Sequence, residues 1–593
     1  MSIILGINSF HADSSAALLI DGKIISAVEE ERFTRQKHWA GFPSNSIKWL
    51  LSNSKIEISD VDEICINTKP NAHFLRKIIY SLKNNPDPRF LYERYLNKQK
   101  RKNIINYIEK IFPQDKIKAN LNFVEHHLAH LASAYYCSKF NNAAVLSIDG
   151  FGDFASTAWG LGSYSNLKVD KQLFFPHSLG VFYTSLTQFL GFPNYGDEYK
   201  VMGLAPYGSK KYVKEVSKLI NLEDNGKFTL NLKFFLHAKQ KIPYQWENGV
   251  PIIGKHYSEE LIELLGSERK KDEKLSQKHI DIAHSTQFVY EKTLNHILGH
   301  ISKKYDTYNL AIAGGCAANS VANGKITRNT SFKKIYIQSA AGDAGGALGA
   351  ALYKWYEHNP RNVYELMSPY LGSSFSVNDI DKTIREKGFL EGDMKERFII
   401  NKIGDDLKDL NHLIDKVSDF IIDGLVVGWF QGRMEWGPRA LGNRSILGDP
   451  RRKDMKEILN RKIKKRESFR PFAPSVLHKE VLNWFEFNKY SDDEVPYMMK
   501  VLPIKKDKRE LIPAVTHIDG SGRLQTVKEK ENYIYYLLIN SFFKKTGIPM
   551  LLNTSFNENE PVVRSPSEAL DCFKRTNMDV IVMGETIIKR KSN

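Results

Sequence analysis

The sequence is poor in cysteine: Cys65, Cys137, Cys316 and Cys572 are the four in 593 residues, and no two form a CxxC pair. That spacing argues against a disulfide framework and against a zinc knuckle, so the thiols are expected in cores. Long apolar runs are missing too. No stretch approaches the roughly 18 residues that would span a bilayer, so no membrane role is expected. The opening MSIILGINSFHADS has neither the basic segment nor the long apolar segment of a secretory signal, and the expected compartment is the cytoplasm. Aromatic residues are not interleaved with the basic ones, which speaks against a groove for single-stranded nucleic acid.

What is present is a soluble composition, 42% hydrophobic and 26% charged, with a formal net charge of +17. Such a balance suits nucleic acid, a membrane surface or small anionic substrates, and only its distribution can choose between them. The runs NKQKRKN, SERKKDEK and IKKDKRE sit in polar surroundings and read as solvated faces. A chain this long calls for two or three domains. Residues 3–30 read as strand, turn, strand, turn, strand, and residues 143–173 repeat that outline, which predicts a duplicated α/β domain with a cleft between its halves. Pro360, Pro369 and LGSSFSVND break the pattern over 355–395, so the boundary is set at 360/361. Beyond it a second α/β unit, 361–593, alternates helix, glycine and strand around Gly424 and Gly547.

The stretch EHHLAHLASAYY puts His126 and His130 four residues apart, on one helix face and about 6 Å from each other, while His127 points elsewhere. The pair could share a metal ion or could be ordinary core histidines. A third ligand would have to come from another segment. Asp343, in the glycine-rich turn of QSAAGDAGGALGAALYKW, opens a helix where Gly342 and its neighbours could meet phosphate and the carboxylate a cation; a packing turn is the plainer reading. Asp149 ends the strand AAVLSID, a position from which a carboxylate can orient metal or water. Gly314 and Gly315 follow an apolar strand in LAIAGGCAANSVANGKI, where paired glycines admit a nucleoside, although the spacing is neither GxGxxG nor a P-loop. His11, in the first hairpin turn, could serve as a general base. Lys200, in GDEYKVMGLAPYG, belongs to a polar loop that would suit a cleft mouth.

The second unit concentrates arginine. Arg433, Arg439, Arg444, Arg466 and Arg470 lie among glycine, proline and apolar residues, and Arg523 sits in HIDGSGRLQTV. Their planar forks suit phosphate or carboxylate oxygens, with buried structural ion pairs as the other reading. The strand LLNTSFNENEPVV ends in Asn553, Thr554 and Ser555, which could hydrogen-bond a phosphate or carbamoyl-like group. Together these predict a compact site for a small polyanion rather than for a duplex.

The segments LGINSFHADSSAALL, EHHLAHLASAYY, SIDGFGD, DEYKVMGLAPYG, AGGCAANSVAN, GDAGGALGAA, EWGPRALGNRSILGDPR, SFRPFAPSVL, DGSGRLQTV and LLNTSFNENEPVV jointly resemble the NodU/CmcH carbamoyltransferases, nearly end to end. The resemblance implies a duplicated actin-like (ASKHA-type) N-terminal domain followed by a YrdC-like α/β domain. It implies a metal, commonly iron, on His126, His130 and Asp343, and a catalytic histidine at His11, with Asp149 and Lys200 expected beside it. Gly314, Gly315, Asn319 and Gly342 would hold the nucleotide of the first domain. Arg439, Arg444, Arg470, Arg523, Asn553 and Ser555 would hold carbamoyl phosphate and ATP, with Mg²⁺, in the second. The implied activity is the formation of carbamoyl-adenylate and transfer of its carbamoyl group to a hydroxyl of a small metabolite. A homodimer is the base expectation. A tRNA threonylcarbamoyl transferase, a non-catalytic nucleotide-binding regulator and a sugar or acetate kinase remain competing readings, and the last leaves the C-terminal third unexplained.

Overall fold

The computed structural model describes residues 1–84, 92, 99–100, 103–238, 244–245, 249–361, 367–404, 407–467, 469–489, 491 and 494–591. Residues 97–98 and 101–102 of the NKQKRKN run, and 362–366 of the expected boundary region, lie outside them. The chain divides into two units, Met1–Met367 and Ser368–Asn593, so the division falls a few residues beyond 360/361. The buried Arg361 guanidinium explains this, because it donates to the carbonyls of Tyr135, Ser138 and Phe140 and so ties residue 361 to the first unit.

The first unit contains one sheet plan twice. Strands β1 (Ile3–Asn8), β2 (Ser15–Ile20) and β3 (Lys23–Glu29) form an antiparallel meander, and β4 (Glu63–Ile66) and β5 (Asn120–Phe123) add in parallel on the far side of β1, in the order β3-β2-β1-β4-β5. Strands β6 (Asn142–Gly152), β7 (Ala155–Ser163) and β8 (Asn166–Phe174) repeat the meander. After two short pairs, β9 (Ile220–Leu222) with β10 (Phe228–Leu230) and β11 (Tyr244–Gln245) with β12 (Ile252–Ile253), the parallel additions are β13 (Asn309–Ala313) and β14 (Lys334–Ile337). The second order, β14-β13-β6-β7-β8, mirrors the first. The duplicated hairpins read from the sequence are therefore a duplicated α/β domain. Both innermost strands are buried along most of their length, as their unbroken apolar runs require.

Two helices pack together and carry the site. His126–Tyr135 starts at Glu125, whose carboxylate accepts the Leu128 N–H at 2.8 Å, and Asp153 accepts the His126 N–H at 3.0 Å. Two acids thus cap the positive end of the helix dipole. Against it lies Asp343–Tyr356, rich in glycine and alanine. A Cβ at Gly349 would come within 1.9 Å of the Ala129 carbonyl oxygen, so the small residues permit a backbone approach that any side chain would block.

The second unit is a nine-stranded mixed sheet ordered β15-β23-β22-β16-β17-β21-β18-β20-β19: β15 (Phe398–Lys402), β16 (Val427–Phe430), β17 (Arg444–Gly448), β18 (Ala473–Leu477), β19 (Lys500–Pro503), β20 (Ser521–Val527), β21 (Met550–Ser555), β22 (Val580–Met583) and β23 (Thr586–Arg590). Helices Leu407–Ile422, Tyr533–Thr546 and Pro566–Arg575 each lead into a sheet strand, β16, β21 and β22 in turn. Trp429, Leu447, Val476, Leu551 and Ile581 are fully buried at its centre, and each such side chain contributes about 1.5–3 kcal/mol of transfer free energy.

Candidate active site

The histidine helix, the end of β6 and the start of the glycine-rich helix bring His126, His130, Asp149 and Asp343 to one point, with one ligand atom of each within 4.8 Å of all the others. His130 Nε2 lies 3.0 Å from Asp149 Oδ2 and 3.5 Å from Asp343 Oδ1. His126 Nε2 lies 3.6 Å and 3.4 Å from the same two oxygens. The two Nε2 atoms are 3.1 Å apart. Two neutral imidazoles with inward lone pairs cannot sit that close, facing two carboxylates, without a cation or a proton between them. Asp149 Oδ2 and Asp343 Oδ1 are buried and face no donor other than the two imidazoles, which is an arrangement that metal ligation would complete.

The electrostatics agree. Burial works against charge on His130, but the hydrogen-bonding carboxylates of Asp149 and Asp343 outweigh it and push the imidazole up to about 9. Burial would raise Asp149, yet hydrogen bonds from His126 and His130 hold it well below the usual carboxylate range. Asp343 is also held low, with burial overcome by the charge and hydrogen bond of His11. A field that draws a proton onto His130 also draws a divalent cation. Two imidazoles and two carboxylates, with no thiolate, form a donor set that fits iron(II) or a similar first-row ion.

The reading of Asp149 changes in one respect. Expected as a catalytic group beside a three-residue ligand set, it lies in the same cluster as the other three, from which it could also serve as a ligand. His127 stays outside it, as its helix phase predicts: Nδ1 pairs with Ser147 Oγ at 2.8 Å, and burial pulls the imidazole down to about 4. His126 itself is held by β6, since a Cβ at Gly152 would fall 1.9 Å from its ring.

His11 reaches the cluster from the β1–β2 hairpin. Its Nδ1 lies 2.8 Å from Asp343 Oδ2, and its ring centroid is 5.4 Å from that of His126. The hairpin is rigid because Asn8 Nδ2 donates to the carbonyls of Ala12 and Asp13, and Ser14 Oγ donates to those of His11 and Gly41. Gly315 is exposed and lies near Asp149, where its added Cβ would be 3.0 Å from Oδ1.

Three other expected groups are spent internally. Gly314 is a glycine for its φ of +93° and because a Cβ would strike the Ile148 carbonyl at 2.1 Å, so its demand comes from β6 rather than from a ligand. Asn319 caps a short helix through the Ala322 N–H and exchanges two hydrogen bonds with Gln287. Lys200 pairs with Asp197 at 2.9 Å and lies over the Phe192 ring. Gly342 is the residue from which the Asp343 helix starts.

In the second unit the loop Glu435–Arg444 wraps around the Glu435 carboxylate, which accepts the N–H groups of Leu441, Asn443 and Arg444 at 2.8–3.0 Å. Arg439 stands in that loop. Arg523, from β20, is held well below the ordinary guanidinium range by burial and then by the charges of Arg439, Arg466 and Arg470, so four arginines converge. Its Nε is buried without a hydrogen-bond partner. Such a concentration of positive charge favours an anion. Arg444 is the exception among the expected binders: fully buried, it donates to the carbonyls of Gln431, Gly432, Asn443 and Ser373 and lies 3.7 Å over the Phe430 ring. It knits the loop together and cannot reach a ligand. Asn553 Nδ2 donates to Ala440 O and Ser475 Oγ, leaving Oδ1 unpartnered, and Ser555 Oγ pairs with Asn557.

Arg466, among the arginines the sequence singled out, was absent from the set that the resemblance implied, and the residue order gave no sign of Asp153 as the cap that sets the histidine helix. The repeated Asp-Gly-Phe-Gly-Asp pattern of 149–153 was the available signal for Asp153.

The description Carbamoyltransferase N-terminus matches residues 3–352, and Carbamoyltransferase C-terminus matches 418–590. The chain belongs to the carbamoyltransferase family, of the NodU/CmcH type. It is 36% identical to nodulation protein NolNO of Sinorhizobium fredii, over 99% of this chain and 80% of that one. An uncharacterized Synechocystis sp. protein is 39% identical over 100% of this chain and 97% of its own. The 3'-hydroxymethylcephem-O-carbamoyltransferase of Amycolatopsis lactamdurans is 31% identical over 47% of this chain and 49% of that enzyme.

Proposed function

We propose that the protein is an O-carbamoyltransferase that uses carbamoyl phosphate and ATP to form carbamoyl-adenylate and passes the carbamoyl group to a hydroxyl of a small-molecule acceptor. The observation that carries the reading is the convergence of His126, His130, Asp149 and Asp343, with His11 on Asp343, in a chain of this family.

In the second unit, read as YrdC-like, Arg439, Arg466, Arg470 and Arg523 hold the phosphate charge of both substrates, with Mg²⁺ accompanying ATP. Water cleaves carbamoyl phosphate to phosphate and carbamate, and a carbamate oxygen attacks the α-phosphorus of ATP and displaces pyrophosphate. Asn553 Oδ1 is positioned to accept from the carbamoyl amide, and Ser555 closes the same strand end. In the first unit, Gly315 and the Gly342 turn offer backbone to the adenylate. A divalent cation on His126, His130, Asp149 and Asp343 would supply positive charge to polarise the carbamoyl oxygen. His11, oriented through Nδ1 by Asp343, takes the acceptor proton at Nε2 as the hydroxyl oxygen bonds to the carbamoyl carbon and AMP departs.

The test is an acceptor-free incubation with ATP and carbamoyl phosphate, following pyrophosphate and AMP and measuring metal in the same sample. Pyrophosphate that requires carbamoyl phosphate supports the adenylate route. Pyrophosphate that requires threonine and bicarbonate instead overturns it in favour of tRNA modification.

A further inference from the structure

The helix Phe74–Asn84 is turned inside out. Leu75, Ile78, Ile79 and Leu82 follow the i, i+3, i+4, i+7 spacing by which a helix normally faces a core. Here they are 74%, 40%, 52% and 80% exposed. The opposite face makes the attachment to the protein. Tyr80 OH donates to Ala238 O at 2.9 Å, its ring meets Phe154 and Phe175 edge-on, and the Arg76 guanidinium lies 4.2 Å over the Phe174 ring. The polar-tipped residues therefore anchor the helix, and the aliphatic stripe is presented outward.

Charge selects what the stripe meets. From Lys69 to Asn84 the sequence contains Lys69, Arg76, Lys77 and Lys83 and no acidic residue, in a chain of net charge +17. Lys83 is exposed and borders the stripe on the helical projection. An aliphatic stripe edged by basic groups is the arrangement of a helix that lies in the interface of an anionic bilayer, with apolar side chains among the acyl chains and ammonium groups at the phosphates. No helix among the described residues is long and apolar enough to cross a membrane, so the contact is peripheral. We propose that the helix Phe74–Asn84 docks the protein on a lipid surface containing anionic headgroups, through Leu75, Ile78, Ile79 and Leu82. This does not depend on the carbamoyl-transfer reading.

The test is co-sedimentation of the full-length protein with vesicles of phosphatidylcholine alone and with about 30% phosphatidylglycerol added. The wild type is expected to pellet with the anionic vesicles and to be released by salt. Leu75→Ser/Ile79→Ser/Leu82→Ser should lower the partition coefficient by about tenfold or more, and Lys69→Gln/Lys83→Gln should weaken binding to the anionic vesicles only. The single variant Leu82→Ser, at the most exposed position, gives the same direction should the triple variant fold poorly, with thermal midpoint and metal content as folding controls. Absence of vesicle binding by the wild type overturns the proposal, as does binding that the serine variants leave unchanged. A wild-type dimer that the triple variant makes monomeric, without vesicle binding, assigns the stripe to a second copy and also overturns it.

Discussion

The two sites pose opposite electrostatic problems. In the first unit two carboxylates and two imidazoles point at one another, an arrangement that a cation or a proton between them would satisfy. In the second unit the charges of Arg439, Arg466 and Arg470 add to burial in driving Arg523 well below its ordinary range, an excess of positive charge that favours an anion. The neighbouring Arg444, more deeply buried, spends both terminal nitrogens on backbone carbonyls, and only its Nε lacks a partner.

The sharpest way to break this comparison is to separate the half-reactions. Arg470→Ala is expected to lower carbamoyl-phosphate-dependent pyrophosphate release by about 100-fold or more while leaving metal content intact. His130→Ala should do the reverse, sparing pyrophosphate release while metal falls from about one ion per chain toward none. Equal loss of both half-reactions in both variants would sink the two-site division. Asp149→Asn sharpens the ligand count: a four-member set predicts metal loss close to that of His130→Ala, whereas a three-member set with Asp149 as a catalytic group predicts full metal content.

Gly152→Ala probes the same centre without touching a ligand. The added methyl meets the His126 ring, so metal affinity should fall by about tenfold while the second-unit reaction is unchanged. Unaltered affinity would mean that the ring is not held where it is described.

The smallest expected effect concerns Glu125. Burial opposes its charge, but His73, His127 and the Leu128 N–H outweigh it and bring it down to about 2 from the ordinary 4.5. A carboxylate lowered on folding contributes stability that is present above pH 4.5 and lost as pH falls through 2. Glu125→Ala should therefore cost about 1 kcal/mol in denaturant unfolding at neutral pH, with the difference from wild type shrinking below pH 4.5. A constant difference across that range would remove the cap from the account.

Much of the architecture was legible because it rests on local signals. The three-strand hairpin outline appears twice in apolar runs and turn residues, and each outline forms the meander of a sheet. The alternation of helix, glycine and strand around Gly424 and Gly547 likewise forms as read, because a glycine past a helix end and an apolar run after it are short-range features. The boundary moved because Arg361 reaches back more than two hundred residues to the end of the histidine helix, a contact with no local signature.

The i, i+4 spacing of His126 and His130 by itself determined that both imidazoles leave one helix face, because 3.6 residues make a turn. Residue order likewise determined that His127 leaves another, and that arginine would be dense in the second unit. Only the tertiary structure decided that Asp149 and Asp343, 194 positions apart by the difference of their numbers, complete one centre with that pair. It alone separated Arg439, Arg466, Arg470 and Arg523, whose charges act on one another, from Arg433 and Arg444, which are bonded to backbone carbonyls. Covalent geometry sets spacing within an element, whereas which elements meet depends on packing two repeated sheets and on which buried charges the backbone can satisfy.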